Sequence, residues 1–207
     1  MLEVQHIGIP TTCFDKTIEW YKLKGYPVTF ETKLSDGVRV AFIEIFKVTL
    51  EFYEAENSNV KYSNIKQIVI NNLSHEKLLI SPTGEEIILQ LSNKEGIDHI
   101  VLNTDSIHNT FQSLQEHGFS YLPPYYVNGK VKFKLNRIQH SSIGSGIINH
   151  IAFNENNLDL KHSQIVEMDI PIVEGPNFLP FFENGVRYFV TENYNGLRLE
   201  YNQILRR

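Results

Sequence analysis

Apolar residues alternate with polar or small ones in a short segment that occurs four times, over residues 4–9, 65–70, 97–102 and 148–153. Alternation with a period of two is typical of a β-strand whose two faces meet different environments. One face carries apolar pairs that the pattern directs into a core. The other face carries, at the same place in each copy, His6, Gln67, His99 and His150. A histidine repeated in this way favours duplicated modules whose imidazoles face a shared cavity.

A helical pattern follows three of the four copies. The positions 8, 12 and 15 residues after each histidine are mostly apolar, and this spacing places them on one face of a helix. Four residues later stand Gly25, Gly118 and Asp169, which tolerate the left-handed conformation just past a helix end. The pattern therefore predicts helices over residues 12–24, 105–117 and 157–168, and none over residues 63–92.

Each module ends with a second segment in which apolar and polar residues alternate. Glu51 and Glu200 lie between apolar neighbours in two of these segments, 45 residues after His6 and 50 residues after His150. Gln90 and Asn136 take the corresponding place in the other two. Only 23 residues separate Gln67 from Gln90, which is too short for an intervening helix, so the second module is reduced to strands. The duplicated spacing makes Glu51 and Glu200 candidate partners of the histidines.

Composition narrows the class of protein. The chain has 207 residues, 42% of them hydrophobic, and a net charge of −5 without a basic run, which argues against nucleic acid and anionic membranes as partners. No apolar run approaches membrane-spanning length, and the N-terminus lacks the features of a signal peptide. The single Cys13 fits a reducing compartment. These features predict a cytoplasmic globular protein.

The motifs together resemble the vicinal oxygen chelate superfamily, which includes glyoxalase I, bleomycin-resistance proteins and extradiol dioxygenases. The resemblance is carried by the His-Ile-Gly-Ile opening at His6, the segments 18–21, 96–100 and 149–152, and the tail over 179–203. It implies an α+β fold of repeated βαβββ modules, paired into half-open barrels around a divalent metal. The chain departs from a two-module glyoxalase in having about four modules, two of them abbreviated. We expect an N-terminal pair over residues 1–94 and a C-terminal pair over residues 95–207.

Two metal sites compete under this resemblance. If neighbouring modules pair, the site is His99, His150 and Glu200, the set that we favour by a small margin. Two histidines and one carboxylate leave three positions open on an octahedral ion, as in non-haem iron oxygenases. If the two complete modules pair instead, the site is His6, Glu51, His150 and Glu200. That set leaves two positions for water or substrate, as glyoxalase-type isomerisation needs.

Imidazole and carboxylate ligands suit a divalent first-row ion such as Fe, Mn, Ni, Co or Zn. Such an ion would bind a small substrate through two adjacent oxygens, and Glu51 or Glu200 is the economical base for proton transfer. The expected protein is a glyoxalase-like lyase or isomerase, or a dioxygenase, and it could form a homodimer. The alternative is a metal-free protein that sequesters a small molecule, as bleomycin-resistance relatives do.

Two further features concern the substrate. Arg187 and Arg198 share strand faces with the inward-facing set, so that one of them could meet an anionic group, although surface exposure is the commoner role of an arginine. The aromatic segments 121–126 and 178–182 are candidates for a cavity rim, or else packed connections.

Overall fold

The computed structural model describes residues 2–56, 63–139 and 147–206. Within these ranges the chain forms three α-helices, α1 (Phe14–Leu23), α2 (Ile107–Glu116) and α3 (Leu158–Glu167). It also forms fifteen strands: β1 (Val4–Thr11), β2 (Val28–Lys33), β3 (Arg39–Ile45), β4 (Val48–Glu54), β5 (Ile65–Asn72), β6 (Lys77–Ile80), β7 (Glu86–Leu91), β8 (Gly96–Thr104), β9 (Ser120–Leu122), β10 (Tyr125–Asn128), β11 (Val131–Arg137), β12 (His150–Asn154), β13 (Ile172–Leu179), β14 (Val186–Glu192) and β15 (Arg198–Ile204). A short 3₁₀ turn over Tyr194–Gly196 precedes β15.

The helices confirm the predicted positions. Each lies within its predicted range, and residues 63–92 contain strands and turns without a helix. The residues just past the helix ends have the predicted left-handed backbone, with φ of 84° at Gly25, 79° at Gly118 and 56° at Asp169. Asn157 caps α3 by accepting a hydrogen bond from the Leu160 amide. The local sequence signals therefore determine where each helix begins and ends.

The strands form two sheets of similar design. The eight-stranded sheet, called sheet one below, has the order β13-β14-β15-β12-β1-β4-β3-β2, and the seven-stranded sheet two has the order β6-β7-β5-β8-β11-β10-β9. In each sheet the first strands of two modules pair antiparallel at the centre, and each is flanked by the parallel last strand of its own module.

The modules do not pair in the expected way. Sheet one joins the first module to the fourth, and sheet two joins the second to the third. The two modules of sheet one have outer strands of six to eight residues (β2, β3, β13 and β14), whereas outer strands β6, β9 and β10 of sheet two have three or four. The two modules with long outer strands thus share sheet one, whereas pairing of neighbouring modules would have placed them in different sheets. The division of the chain at residues 94 and 95 remains a prediction.

One hydrophobic core joins the two sheets and the helices. Residues from sheet one such as Ile7 and Ile43, and residues from sheet two such as Ile68 and Phe133, belong to a single buried cluster. Alternation along each strand sends the intervening side chains to the opposite, concave face. In sheet one this face carries the predicted histidine and glutamate positions. In the described part of the chain no helix is long and apolar enough to cross a membrane.

Candidate metal centre

Four neighbouring strands at the middle of sheet one carry the candidate ligands. His6 lies on β1, His150 on β12, Glu51 on β4 and Glu200 on β15. Gly8 of β1 lies opposite both His150 and Glu51 in the strand register. Ala152 of β12 lies in the same way opposite His6 and Glu200. The two complete modules thus contribute equivalent pairs, related by an approximate two-fold axis.

The four side chains converge on one buried point. His6 Nε2 lies 3.2 Å from Glu51 Oε2 and 3.7 Å from Glu200 Oε1. His150 Nε2 lies 3.5 Å from an oxygen of each glutamate, and the two Nε2 atoms are 3.3 Å apart. All four residues are buried. In the described ranges, ligand atoms of His6, Glu51 and His150 lie within 4.8 Å of one another, whereas Glu200 turns a different oxygen towards each imidazole.

A chain of hydrogen bonds determines the tautomer of His6. The carboxylate of Glu200 can only accept, so the Asn202 Nδ2 group at 2.7 Å donates to it. The same Nδ2 donates to Gln5 Oε1 at 2.7 Å. Gln5 Oε1 in turn accepts from His6 Nδ1 at 3.0 Å. With the proton on Nδ1, the Nε2 lone pair of a neutral His6 points at the centre of the site.

A second chain does the same for His150. The Arg198 guanidinium can only donate hydrogen bonds. The Asn149 side-chain atom that lies 3.2 Å from its Nη1 is therefore the amide oxygen, which accepts. That oxygen also accepts from His150 Nδ1 at 3.0 Å. The Nε2 lone pair of His150 is therefore directed at the same point as that of His6. Outer partners that orient imidazoles in this way are typical of metal-binding histidines.

The donor set fits a divalent metal ion. Two neutral imidazole nitrogens and two carboxylates place their lone pairs and negative charge together, and without a cation these groups would repel one another. Ligands about 2.1 Å from an ion and at right angles to each other are about 3.0 Å apart, close to the Nε2–Nε2 separation here. Nitrogen and oxygen ligands without a thiolate suit a first-row divalent ion.

The protein environment separates the pKa values of the two carboxyl groups. Burial alone would raise the pKa of Glu51, but without a metal the two adjacent histidines, in their protonated form, outweigh burial and hold the pKa well below its usual range. Burial raises the pKa of Glu200 above its ordinary value, the histidines oppose this, and the charge of Glu51 adds to it. Burial lowers the pKa of His150, but the neighbouring Glu200 and Glu51 reverse the direction and leave it raised. Glu51 is thus the more persistent anion and Glu200 the better proton acceptor.

Gly8 makes room for the His150 ring. A Cβ atom added to Gly8 would lie 1.9 Å from His150 Cε1 and 2.2 Å from Nε2. Because real Cβ atoms do not approach other atoms so closely, any side chain at this position would push the imidazole away from the centre. Gly8, in the His-Ile-Gly-Ile segment, therefore contributes to the site by leaving room for His150, a candidate ligand from the fourth module.

A cavity of about 390 Å³ opens above the four side chains. One wall is apolar, built by Val40, Phe42, Phe181 and Val186 with the partly buried Phe30 and Leu179. The ring centroids of Phe30 and Phe42 lie 4.9 to 5.9 Å from those of Phe181 and Phe182, so segment 178–182 closes the half-barrel against β2 and β3. Arg198 and Tyr53 line the cavity beside His150. The expectation that this segment forms a cavity rim is thus met by the structure.

His99 lies apart from this cluster. It belongs to β8 in sheet two, where its Nδ1 is 2.8 Å from Asp98 Oδ2 and its ring packs against Tyr125. The set favoured from the sequence, His99 with His150 and Glu200, is not brought together, because the first module rather than the third pairs with the fourth. His6, Glu51, His150 and Glu200, the competing set, are the residues that the structure assembles.

The strand register also shows that Gln90 and Asn136 are not the residues equivalent to Glu51 and Glu200. Glu51 and Glu200 lie opposite the residue two places after the module histidine. The residues opposite the equivalent positions in sheet two are Ile88, across from Val69, and Lys134, across from Val101. Gln90 and Asn136 are each two residues further along. The insertion or loss of a pair of residues preserves the alternation, so the pattern alone could not reveal this shift.

Sequence reasoning missed the residues that orient the imidazoles. Gln5, Asn149 and Asp98 each immediately precede a module histidine, and each accepts from its Nδ1. A polar residue at this place in three copies of the repeat is the signal that could have identified them. Asn202 follows Glu200 by two residues on the same strand face, and alternation alone would have placed it beside the site.

No family model matches the chain, and no curated protein sequence matches it. Solved structures do match it. Glyoxalase I from Zea mays superposes with a TM-score of 0.68 at 12% identity, covering 98% of this chain and 92% of that one. A variant of that protein gives a TM-score of 0.71 at the same identity and coverage. A putative dioxygenase from Bacillus subtilis gives 0.69 at 12% identity, covering 97% of this chain and 84% of that one.

These similarities extend over nearly the whole chain, and at 12% identity they concern the fold. They agree with the residues and motifs that carried the sequence resemblance. The chain therefore has the α+β fold of glyoxalase I.

Proposed function

We propose that the chain is a metal-dependent enzyme that binds a small substrate through two adjacent oxygens and transfers a proton next to a carbonyl, as a glyoxalase-type lyase or isomerase. The observation that supports this most strongly is the convergence of two imidazole lone pairs and two carboxylates beneath a 390 Å³ cavity. A divalent first-row ion held there would supply Lewis-acid polarisation of the substrate oxygens.

Coordination number favours proton transfer. Four protein ligands leave two positions on a six-coordinate ion, enough for one bidentate substrate and not for dioxygen as well. His6, His150 and Glu51 are the permanent ligands in this proposal. Glu200 would be the residue that accepts the substrate proton, because it lies beside both imidazoles but outside the compact set of His6, Glu51 and His150.

A dioxygenase is the second candidate. His6, Glu51 and His150 form a compact set of two histidines and one carboxylate, and Glu200 is not part of that tightest group. If Glu200 does not bind the ion, three positions are open and an iron(II) ion could take both a bidentate substrate and dioxygen. The two candidates differ in whether the reaction needs Glu200: proton transfer requires it, whereas oxygen use does not.

One pair of assays separates these reactions. The first follows exchange of the α-protons of 2-hydroxyacetophenone for deuterium by NMR, with Zn(II)- or Co(II)-loaded protein. The second follows oxygen uptake with catechol and Fe(II)-loaded protein. We expect metal-dependent exchange, lost in Glu200→Gln while metal content is retained, and no oxygen uptake. Oxygen uptake without exchange would support the dioxygenase, and a protein that takes up no metal would support the sequestering alternative.

The remaining features of the proposal come from the sequence. The substrate is a small molecule, and neither nucleic acid nor a membrane is expected as a partner. Cytoplasmic location and a homodimer stay predictions, which fractionation and sedimentation of the native protein would test.

A further inference from the structure

Arg198 is a buried cation at the edge of the candidate metal centre. It lies on β15 two residues before Glu200, so both side chains project from the same strand face, about 6.6 Å apart along the strand. Across the sheet it pairs in register with His150. Only 7% of Arg198 is exposed, and the residue lines the cavity above the four candidate ligands.

The guanidinium is held loosely. Nη1 donates to Asn149 Oδ1 at 3.2 Å, Nη2 lies 3.5 Å from Glu174 Oε2, and Nε lies 3.6 Å from Glu192 Oε2. Charge-assisted N–H···O bonds are usually about 2.7–2.9 Å long. Among the described residues the buried Nε atom has no hydrogen-bond partner. Two carboxylates therefore lie near the guanidinium, but both are further away than in a close charge-assisted bond, and a bound anion would supply the close partner that Arg198 lacks.

Glu174, which also lines the cavity, and Glu192 pair with Arg198 only at long distances. The side chains of Glu174 and Glu192 are about 40% exposed, whereas that of Arg198 is 8% exposed. Solvent screens the charge of an exposed carboxylate, and such pairs contribute little. Glu174 also accepts a hydrogen bond from Tyr188 at 2.6 Å, which holds it at the rim. A ligand anion in the cavity would therefore compete with Glu174, a weak partner, for the guanidinium of Arg198.

Resting on the proposed function, we infer that Arg198 recognises an anionic group of the substrate. The substrate class would be a small apolar, preferably aromatic, molecule that carries two adjacent oxygens and a carboxylate next to them. The two oxygens would meet the metal centre, and the carboxylate would meet Arg198.

The opposite wall of the cavity agrees with an aromatic body. Phe30, Phe42, Phe181 and Phe182 form a group of packed rings on the side contributed by β2, β3 and the segment before β14. Such rings favour flat, apolar groups by stacking or edge contacts. The cavity volume lies at the lower end of the range for small-molecule sites, which suits a compound of one or two rings.

The spacing of Arg198 and Glu200 limits where the carboxylate can sit. Their side chains begin about 6.6 Å apart, and a guanidinium–carboxylate hydrogen bond spans about 3 Å of that distance. This short spacing favours a carboxylate on the atom next to the chelating oxygens, as in 2,3-dihydroxybenzoate. A carboxylate on the far side of a ring would instead point towards the apolar wall.

The test compares 2,3-dihydroxybenzoate with catechol by calorimetry on the Zn(II)-loaded protein. The two probes share the adjacent oxygens and differ in the carboxylate. We expect Arg198→Gln to weaken the binding of 2,3-dihydroxybenzoate by about tenfold or more, because one charge-assisted interaction is lost. The binding of catechol should weaken by less than about threefold. Catechol also controls for any disturbance of His150 through Asn149.

A second variant keeps the inference testable if Arg198→Gln does not fold. Glu174→Gln removes a competing negative charge but preserves an acceptor for Tyr188. It should strengthen the binding of 2,3-dihydroxybenzoate about twofold and leave the binding of catechol unchanged. Equal changes for the two probes in both variants would overturn the role of Arg198.

The outcome is distinguishable from failure of the proposed function. If the protein takes up no metal, the proposed function is wrong, and benzoate and benzamide can then be compared on the metal-free protein. Preference for benzoate that disappears in Arg198→Gln would still support anion recognition by Arg198. The absence of any preference would overturn it.

Discussion

The two sheets of this protein share one strand plan but differ in the chemistry at its centre. In sheet one, equivalent central positions hold His6, Glu51, His150 and Glu200. The strand register of sheet two places Gln67, Ile88, His99 and Lys134 at the same positions. Only one of the four retains a ligand-type side chain that matches its counterpart. The comparison shows that the fold can be kept while the ligand set is lost.

The glycine opposite His150 has no counterpart in sheet two. Gly8 pairs with His150, whereas the residue paired with His99 is Val69. A valine side chain occupies the space that Gly8 leaves open for an imidazole. His99 instead hydrogen-bonds Asp98 and packs on Tyr125. A histidine in the repeat thus becomes a candidate ligand only where its neighbour strand provides room.

The outer strands differ as well. The strands that flank the centre of sheet one are long and their aromatic side chains meet above it, which encloses a cavity. The outer strands of sheet two are three or four residues long. A short strand cannot extend a wall far beyond the sheet, so among the described residues these strands do not build a wall like that of sheet one.

The strongest test of this comparison removes one histidine from each sheet. His150→Ala should lower metal affinity more than tenfold, because an inward-directed ligand of the cluster is lost, while His99→Ala should leave affinity unchanged. Isothermal titration with Zn(II) and the visible spectrum of the Co(II) form would measure both. Equal losses in the two variants would mean that sheet two also contributes to binding.

The next test introduces a side chain where sheet one has none. Gly8→Ala should weaken metal binding by about tenfold, since the new Cβ displaces the His150 ring from the centre. Val69→Ala in sheet two is the matched control and should leave metal affinity unchanged. Wild-type affinity in Gly8→Ala, together with an unaltered Co(II) spectrum, would contradict the importance of this space.

A comparable effect should follow from disturbing the orientation of the His6 imidazole. Gln5→Leu removes the acceptor for His6 Nδ1, and outer partners of this kind typically contribute at least tenfold to metal affinity when they are lost. We expect a loss at the lower end of that range, because Glu51 still contacts His6. Gln5→Glu, which preserves an acceptor, should retain most of the affinity, and a similar loss in both variants would argue for a packing role.

The last test concerns folding stability rather than metal binding, at a contact between β15 and the residue that follows α2. His117 follows α2 and lies 2.6 Å from the Tyr201 hydroxyl on β15 and 2.8 Å from Asn193 Oδ1. Burial lowers the pKa of His117 to about 4. Between about pH 6.5 and pH 4 the unfolded chain therefore binds a proton that the folded chain does not. The stability that neutral His117 contributes is fully present above about pH 6.5 and is lost as the pH falls towards 4.

Between pH 7 and pH 5 this loss should be about 2 kcal/mol, or a few degrees in melting temperature. His117→Gln should reduce the pH dependence of the melting temperature, and His108→Gln, at an exposed position on α2, is the control. An unchanged slope in His117→Gln would show that other groups cause the acid sensitivity.

The sequence by itself determined the local elements of this protein. The offsets from each histidine predict the three helices and their left-handed ends because caps and apolar periodicity act over a few residues. The same repeat identifies His6, His150, Glu51 and Glu200 as inward-facing residues, and the family resemblance predicts the fold.

Only the tertiary structure decided which of these residues meet. Pairing the first module with the fourth is a choice between similar strand edges about 140 residues apart, and the alternating pattern is the same for every pairing. Strand length, the space at Gly8 and the hydrogen bonds to Gln5 and Asn149 then separate the assembled cluster from the lone His99. These features depend on contacts between distant segments, and a local sequence pattern does not encode such contacts directly.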